Sequence, residues 1–454
     1  MKRREFVRAA AWAGGAALFG TQAGCRSVSG LYGVRGGSMM GFRAPALPSV
    51  RVGIIGIGAR GTGFVRRLAV IPNVEIKALC DVREERAARE AKFLVEKGKP
   101  APALYTGTET AWRALCERPD VDVVYIITPW LWHAPMALYA MRCGKHAAVE
   151  VPAAMTVEDC WRLVDTAEAT RRHCMILENC CYGLNELLAL NLCRKGVLGD
   201  LVHGEAGYIH YPGKAFLEED PSDEKGYQWR GRWYKEHTGN AYPTHGLGPV
   251  CQWMGINRGD RMDALTSMST ASITRNRLVA EKYGPDSPQA KDAYKMGDMN
   301  TSLIRTRNGR TIMVQFDTTN PRPYSRINLV SGSKGIFADY PLRVALSPAV
   351  HDWMDEKKLA ALKEEHKHPL WAKYGADAER MGGHGGMDYL MDLRLCHCLH
   401  HGLPLDIDVY DTALWSSIVE LSERSVLRGG SAVEIPDFTR GGWRNAEPLG
   451  VVTM

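Results

Sequence analysis

The chain has 454 residues, 45% hydrophobic and 24% charged, with a formal net charge of +6. That length supports two domains with ample cores, and the composition is that of a soluble globular protein. The basic residues are scattered, which leaves no nucleic-acid footprint, and twelve cysteines without a C-x-x-C pair are too dilute for a disulfide scaffold.

Lys2-Arg3-Arg4-Glu5-Phe6-Val7 is a twin-arginine pattern, followed by a short apolar stretch over residues 9–19. Residues 1–25 read as an export signal, too short to span a bilayer permanently. The expected destination is periplasmic or cell-surface, reached through the twin-arginine machinery. Gln22-Ala-Gly-Cys25 is a candidate lipidation site, although Gln22 fits that signal poorly. Residues 26–48 are rich in Gly, Ser and Pro and read as a linker.

Folded structure is expected from Arg51. The run Val52, Ile54, Ile55, Ile57 has the β-branched character of a buried parallel strand. Gly56, Gly58 and Gly61 then fit G-x-G-x-x-G. The first glycine permits the turn, the second lets a pyrophosphate approach, and the third lets the next helix pack closely. That helix is expected near Thr62, its N-terminal N–H groups facing phosphates. A second strand over 74–80 ends in Asp81, placed to bind ribose hydroxyls. Asp81 favours NAD over NADP, with Arg83 a candidate for a 2′-phosphate.

Residues 84–96 and 110–117 read as helices and 121–128 as the next buried strand. The strand opens into Pro129-Trp130-Leu131-Trp132-His133, where a doubly wound sheet binds ligands. Trp130 and His133 therefore fall where the nicotinamide half belongs, although a packing role explains His133 as well. A helix over 134–143, a strand over 146–150, a helix over 156–170 and a strand over 175–179 complete this half. From 184 the pattern changes to a helix over 185–194 and strands over 201–209, 262–269, 299–305, 311–317 and 326–331. Helices follow over 387–400 and 409–424. The expected architecture is α/β. A Rossmann domain, a doubly wound parallel sheet, spans 49–183. An α+β domain with an open, mostly antiparallel sheet spans 184–454.

Two clusters invite other readings. Cys396-His-Cys-Leu-His400-His401 has metal-ligand types at helical spacing, but reads as a packed helix face, and no metal is expected. Gly382-Gly-His384-Gly-Gly386 reads as a helix entry, with His384 within reach of the cleft.

Several longer stretches carry a resemblance. They are Pro129 to Pro135, Glu150-Val-Pro-Ala-Ala154, Glu178-Asn-Cys-Cys-Tyr-Gly183, Tyr242-Pro-Thr-His-Gly-Leu-Gly-Pro249 and Gly255-Ile-Asn-Arg-Gly-Asp260. The chain resembles the Gfo/Idh/MocA oxidoreductases. Within them it is similar to the NAD-dependent glycoside hydrolases of family 109, whose activity is α-N-acetylgalactosaminidase. Sugar dehydrogenases of the larger family carry Glu-Lys-Pro, the lysine helping to deprotonate a hydroxyl. Here that position is Val151, which cannot accept a proton.

The resemblance implies a cycle without net redox, in contrast to the usual pair of carboxylates. Its steps are oxidation at sugar C3 by NAD, loss of the C2 proton with the C1 substituent, addition of water at C1, and reduction of C3. It implies cofactor contacts from Ala59, Arg60, Asp81, Trp130, Leu131, Trp132, His133, Glu150, Val151 and Asn179. It implies substrate contacts from Tyr208, Arg230, Tyr242, Pro243, Thr244, His245 and Tyr324. Tyr182 and His245 are the expected acid/base groups, in either order. The expected NAD is tightly held and recycled, and the expected substrate is a glycan with a terminal N-acetylhexosamine. An exported NAD(P)-dependent sugar oxidoreductase and a non-catalytic sugar or dinucleotide binder are the rival readings. The open sheet also suggests a homo-oligomer.

Overall fold

A computed structural model describes residues 36–212, 228–292, 294–347 and 351–454. The expected export signal, Cys25 and the first part of the linker lie outside them. Six strands form the first sheet: β1 (Val50–Ile55), β2 (Val74–Asp81), β3 (Ala103–Thr106), β4 (Val123–Ile126), β5 (His146–Val149) and β6 (Cys174–Ile176). Their order is β3-β2-β1-β4-β5-β6, all parallel. Helices cover both faces, so β4 and β5 are buried along their whole length.

The second sheet has eight strands: β7 (Leu201–Ile209), β8 (Met262–Ser269), β9 (Met299–Thr306), β10 (Thr311–Asp317), β11 (Leu329–Gly332), β12 (Gly335–Ala338), β13 (Arg343–Leu346) and β14 (Val433–Glu434). Their order is β13-β12-β11-β7-β10-β9-β8-β14. Only β7 and β10 pair in parallel. The expected Rossmann half followed by a mostly antiparallel sheet is what the chain forms.

Several local expectations shift. The first helix is Ala59–Leu68, beginning at the glycine turn itself, and the fourth, Trp130–Arg142, includes the residues expected as a strand-end loop. Residues 326–328 are not strand, because Ile327 and Asn328 have positive φ of 64° and 38°. Residues 36–48, expected as a linker, are docked. Met39 is buried and its N–H donates to the Tyr410 hydroxyl at 3.0 Å, while the Leu47 N–H donates to the Leu399 carbonyl. The composition is linker-like, but Met39 and Phe42 supply apolar surface that the body covers.

The helices Met387–His401 and Val409–Leu427 lie late in the sequence yet pack on the parallel sheet. Arg67 donates to Asp392 at 2.8 Å, and the Ile176 N–H donates to the Thr412 hydroxyl at 2.9 Å. The two halves thus share a wall, and the cofactor end of the first sheet is built partly by the chain's last quarter. Cys396 and Cys398 are buried in that wall, and His400 contacts the Leu47 carbonyl. No disulfide joins the described cysteines. No helix among the described residues is long and apolar enough to cross a membrane.

Burial sets an acid limit on this fold. It pushes His173 and His368 down to about 4. An unfolded histidine takes up its proton near pH 6.5, so these two stabilise the fold fully above that pH. Their contribution is lost as pH falls from 6.5 to 4, roughly 3 kcal/mol each at the lower end. Urea midpoints measured across pH 7 to 4 should fall with decreasing pH, and His173→Gln should flatten part of the slope.

Candidate functional site

A cleft of about 1020 Å³ runs along the carboxyl ends of the parallel strands, from Asp81 and Arg83 to Tyr208 and His245. Its floor is the glycine turn. Gly56 has φ +91°, and a Cβ there would lie 2.4 Å from the Ile127 carbonyl oxygen. A Cβ on Gly61 would lie 1.8 Å from the Gly56 oxygen. At Gly58 the nearest atom to such a Cβ is 3.7 Å away, leaving the backbone open to a phosphate. Asp81 accepts from the Ile57 N–H at 2.7 Å and the Arg83 N–H at 2.9 Å, which ties the second strand to the turn. This cradle fits a dinucleotide. Gly61→Ala should yield protein without bound nucleotide, read by absorbance of the acid-released cofactor.

At the far end Arg60 donates to Glu150 and to Asp388, both at 2.6 Å. Asp388 also accepts from Asn179 at 2.6 Å and contacts His384 at 3.0 Å. Its carboxyl is held well below the usual range: burial opposes this, and the His384 hydrogen bond with the charges of Arg60 and Arg67 outweighs it.

Above this knot stands an aromatic wall. Trp130 meets Trp229 edge-on at 4.6 Å, and Tyr208 lies 4.5 Å from Tyr242 between ring centres. Arg230 lies over Trp130, Trp229 and Tyr242 at 5.1 to 5.3 Å. Tyr208 hydrogen-bonds His210 at 2.9 Å. Burial raises the Tyr208 phenol, so it keeps its proton at neutral pH.

His245 sits in the first turn of the helix Thr244–Met254. Its Nδ1 lies 2.7 Å from Glu178, a fully buried carboxylate on the turn after β6. Burial alone would raise the Glu178 carboxyl. The His245 charge, the His245 hydrogen bond and the Cys180 N–H lower it instead. An ionised carboxylate only accepts, so Nδ1 of His245 carries a proton towards Glu178, and in the neutral imidazole Nε2 is the acceptor. Cys180 also brings its sulfur near this pair, all three ligand-type atoms lying within 4.8 Å.

Both halves of the chain match known proteins. Residues 50–178 match the oxidoreductase family, NAD-binding Rossmann fold, and residues 182–445 match the glycosyl hydrolase 109 C-terminal domain. The chain belongs to glycosyl hydrolase family 109. A family 109 protein of Shewanella pealeana is 49% identical over 422 residues, 92% of this chain and 91% of that protein. The α-N-acetylgalactosaminidase of Bacteroides fragilis is 49% identical over 407 residues, 89% of this chain and 96% of its own. Levoglucosan dehydrogenase in complex with NADH shares the fold, with a TM-score of 0.62 at 19% identity, covering 86% of this chain and all of the other.

In this family 109 chain the cleft brings together Gly56, Gly58, Ala59, Arg60, Asp81, Trp130, Trp132, His133, Glu150, Val151, Tyr208, Arg230, Tyr242 and His245. Gly61 packs beneath the turn. Leu131 is exposed and does not line the cleft, and Pro243 and Thr244 are buried and do not line it either. Asn179 is buried and acts on Asp388. His133 holds both ring nitrogens against backbone carbonyls, Pro152 at 2.7 Å and Thr128 at 2.6 Å, and burial lowers its pKa. It is a strut between two turns.

Tyr182 is the main correction. It is 3% exposed, does not line the cleft, and donates its hydroxyl to Asp406 at 3.2 Å. The strand before it ends at Ile176, and a 3-10 turn over Asn179–Tyr182 swings the ring inward. Tyr324 stands beside the cleft, 5.5 Å from the His210 ring. The site residues missed in the sequence are Glu178, His210 and Asp388. Glu178 had a usable signal, an acid just past a parallel strand. Asp388 stands 328 residues from Arg60 and had none beyond its glycine-rich approach.

Proposed function

We propose that this chain hydrolyses terminal α-N-acetylgalactosaminides of glycans by reversible oxidation of the sugar, with NAD retained and recycled. The observation that carries this reading is His245 lining the cleft with the buried Glu178 carboxylate at 2.7 Å on its Nδ1, and Val151 where a dehydrogenase lysine would stand. Bound NAD would supply oxidation of the sugar at C3 and its later reversal, which makes the C2 proton acidic in between.

His245 Nε2 accepts a proton from the sugar, and Glu178 stabilises the imidazolium that forms. Tyr208, kept protonated and paired with His210, donates a hydrogen bond to a sugar oxygen. Arg230 and the aromatic wall hold the sugar and exclude bulk water. The named activity of the Bacteroides fragilis relative and the resemblance support the choice of sugar. Arg3-Arg4 suggests export of the folded protein with its nucleotide already bound.

The test is a chromogenic α-N-acetylgalactosaminide offered to purified protein without added NAD. Aglycone release with no net reduced nucleotide is expected. Accumulating reduced nucleotide without aglycone release would overturn the reading.

A further inference from the structure

A second cavity, of about 260 Å³, opens beside the first. His384 lines both, so the glycine-rich loop is a low wall between them. Tyr324 stands at the same boundary. Its ring is 5.5 Å from His210, which lines the first cavity, and 5.9 Å from Tyr340, which lines the second. Tyr324 is 40% exposed, and its hydroxyl accepts from Arg326 at 2.9 Å.

The second cavity is furnished for a polyhydroxylated ring. Tyr340 and Trp371 supply aromatic surface, and Asn185, Asp339, Glu186 and Arg326 supply polar groups. These groups are already oriented. Asn185 donates to Asp339 at 3.0 Å, and Arg326 is paired with Glu186. Tyr340 is held in the left-handed region, φ +67°, with its N–H donating to Asp339 at 2.7 Å. A concave site with aromatic walls and a few fixed polar groups is what a small neutral ligand needs.

The geometry points to this cavity as the subsite for the leaving-group sugar, the residue joined to the terminal one that is cleaved. This rests on the glycosidase reading. A bond cleaved beside His245 leaves the next sugar to extend past Tyr324 and His384, and the second cavity is what lies there. The lining carries the carboxylates Glu186, Asp339 and Glu379 against Arg326, so the fitting occupant is a neutral hexose. A sulfated or sialylated sugar in that position meets like charge.

The test compares kcat/KM for two substrates, an aryl α-N-acetylgalactosaminide and an α-N-acetylgalactosaminyl disaccharide with a neutral hexose at the leaving end. Asn185→Ala should lower the ratio of disaccharide to aryl kcat/KM about tenfold, as losing fixed hydrogen bonds to one sugar does. Glu379→Lys, on an exposed position, should narrow the preference for a neutral over a sulfated leaving sugar, and it serves if Asn185→Ala does not fold. If neither variant moves its ratio while the aryl substrate is cleaved, the subsite is wrong and the glycosidase reading stands. If the wild-type protein cleaves neither substrate, the glycosidase reading itself fails and the subsite falls with it.

Discussion

Replacing His245 with alanine should lower aglycone release by about 10³-fold, the size expected for loss of a general base, while the purified protein still carries its nucleotide. The imidazole lies beyond the dinucleotide cradle, and neither Asp81 nor the glycine turn touches it. Glu178→Gln tests the same unit from behind. An amide at 178 can donate as well as accept, so it no longer dictates the His245 tautomer. It also removes the charge that stabilises the imidazolium, and it should cost one to two orders of magnitude in kcat. Because the two residues act together, the double variant should be no slower than His245→Ala alone. Fully additive losses would mean that Glu178 and His245 work separately. Retained nucleotide, measured after acid release, separates a catalytic defect from a failed cofactor site.

Residues whose role is set by neighbours in sequence were legible, and those set by packing were not. The β1 run and its glycines announced the turn because strand, turn and helix are contiguous, and only glycine tolerates the contacts at 56 and 61. Asp81 was legible for the same reason. His245 was legible only through the Tyr242-Pro-Thr-His245 stretch, since its buried partner lies 67 residues earlier. Tyr182 was misplaced because one turn of 3-10 helix reverses which way a side chain faces, and no periodicity over four residues reports that. The short strands β3, β12 and β13 were missed because four residues are too few to show an alternation. In the sequence Arg230 enters only through the resemblance. In the fold it lies on a helix, Gln228–Glu236, whose tryptophan Trp229 packs on Trp130 and so brings the guanidinium over the cleft.

Asp388→Asn should be the most destabilising single change near the site, by about 3 kcal/mol or more, and should release the nucleotide. The carboxylate is 1% exposed and is shared by Arg60, Asn179 and His384, with Arg67 at 3.5 Å. Removing one member of a buried ion cluster costs about 3 to 5 kcal/mol, because the remaining charge stays buried. Here Arg67 keeps Asp392, and Arg60 keeps Glu150, so the loss should fall at the lower end of that range. The effect on cofactor follows from position. Arg60 belongs to the helix that opens at the glycine turn, and Asp388 stands in the first turn of the helix Met387–His401, which forms the opposite wall. Without the carboxylate the turn is left with the weaker Arg60–His384 contact at 3.3 Å and the Arg67–Asp392 pair farther along the same helix. Asp392→Asn is the informative control. Burial raises the Asp392 carboxyl to about 7, so its ionised form is worth less to the fold than that of Asp388 and its loss should cost less. Urea unfolding and nucleotide content of the two variants decide the matter. A variant at 388 with wild-type midpoint and full nucleotide would show that the cluster is ornamental to the cleft rather than its clamp.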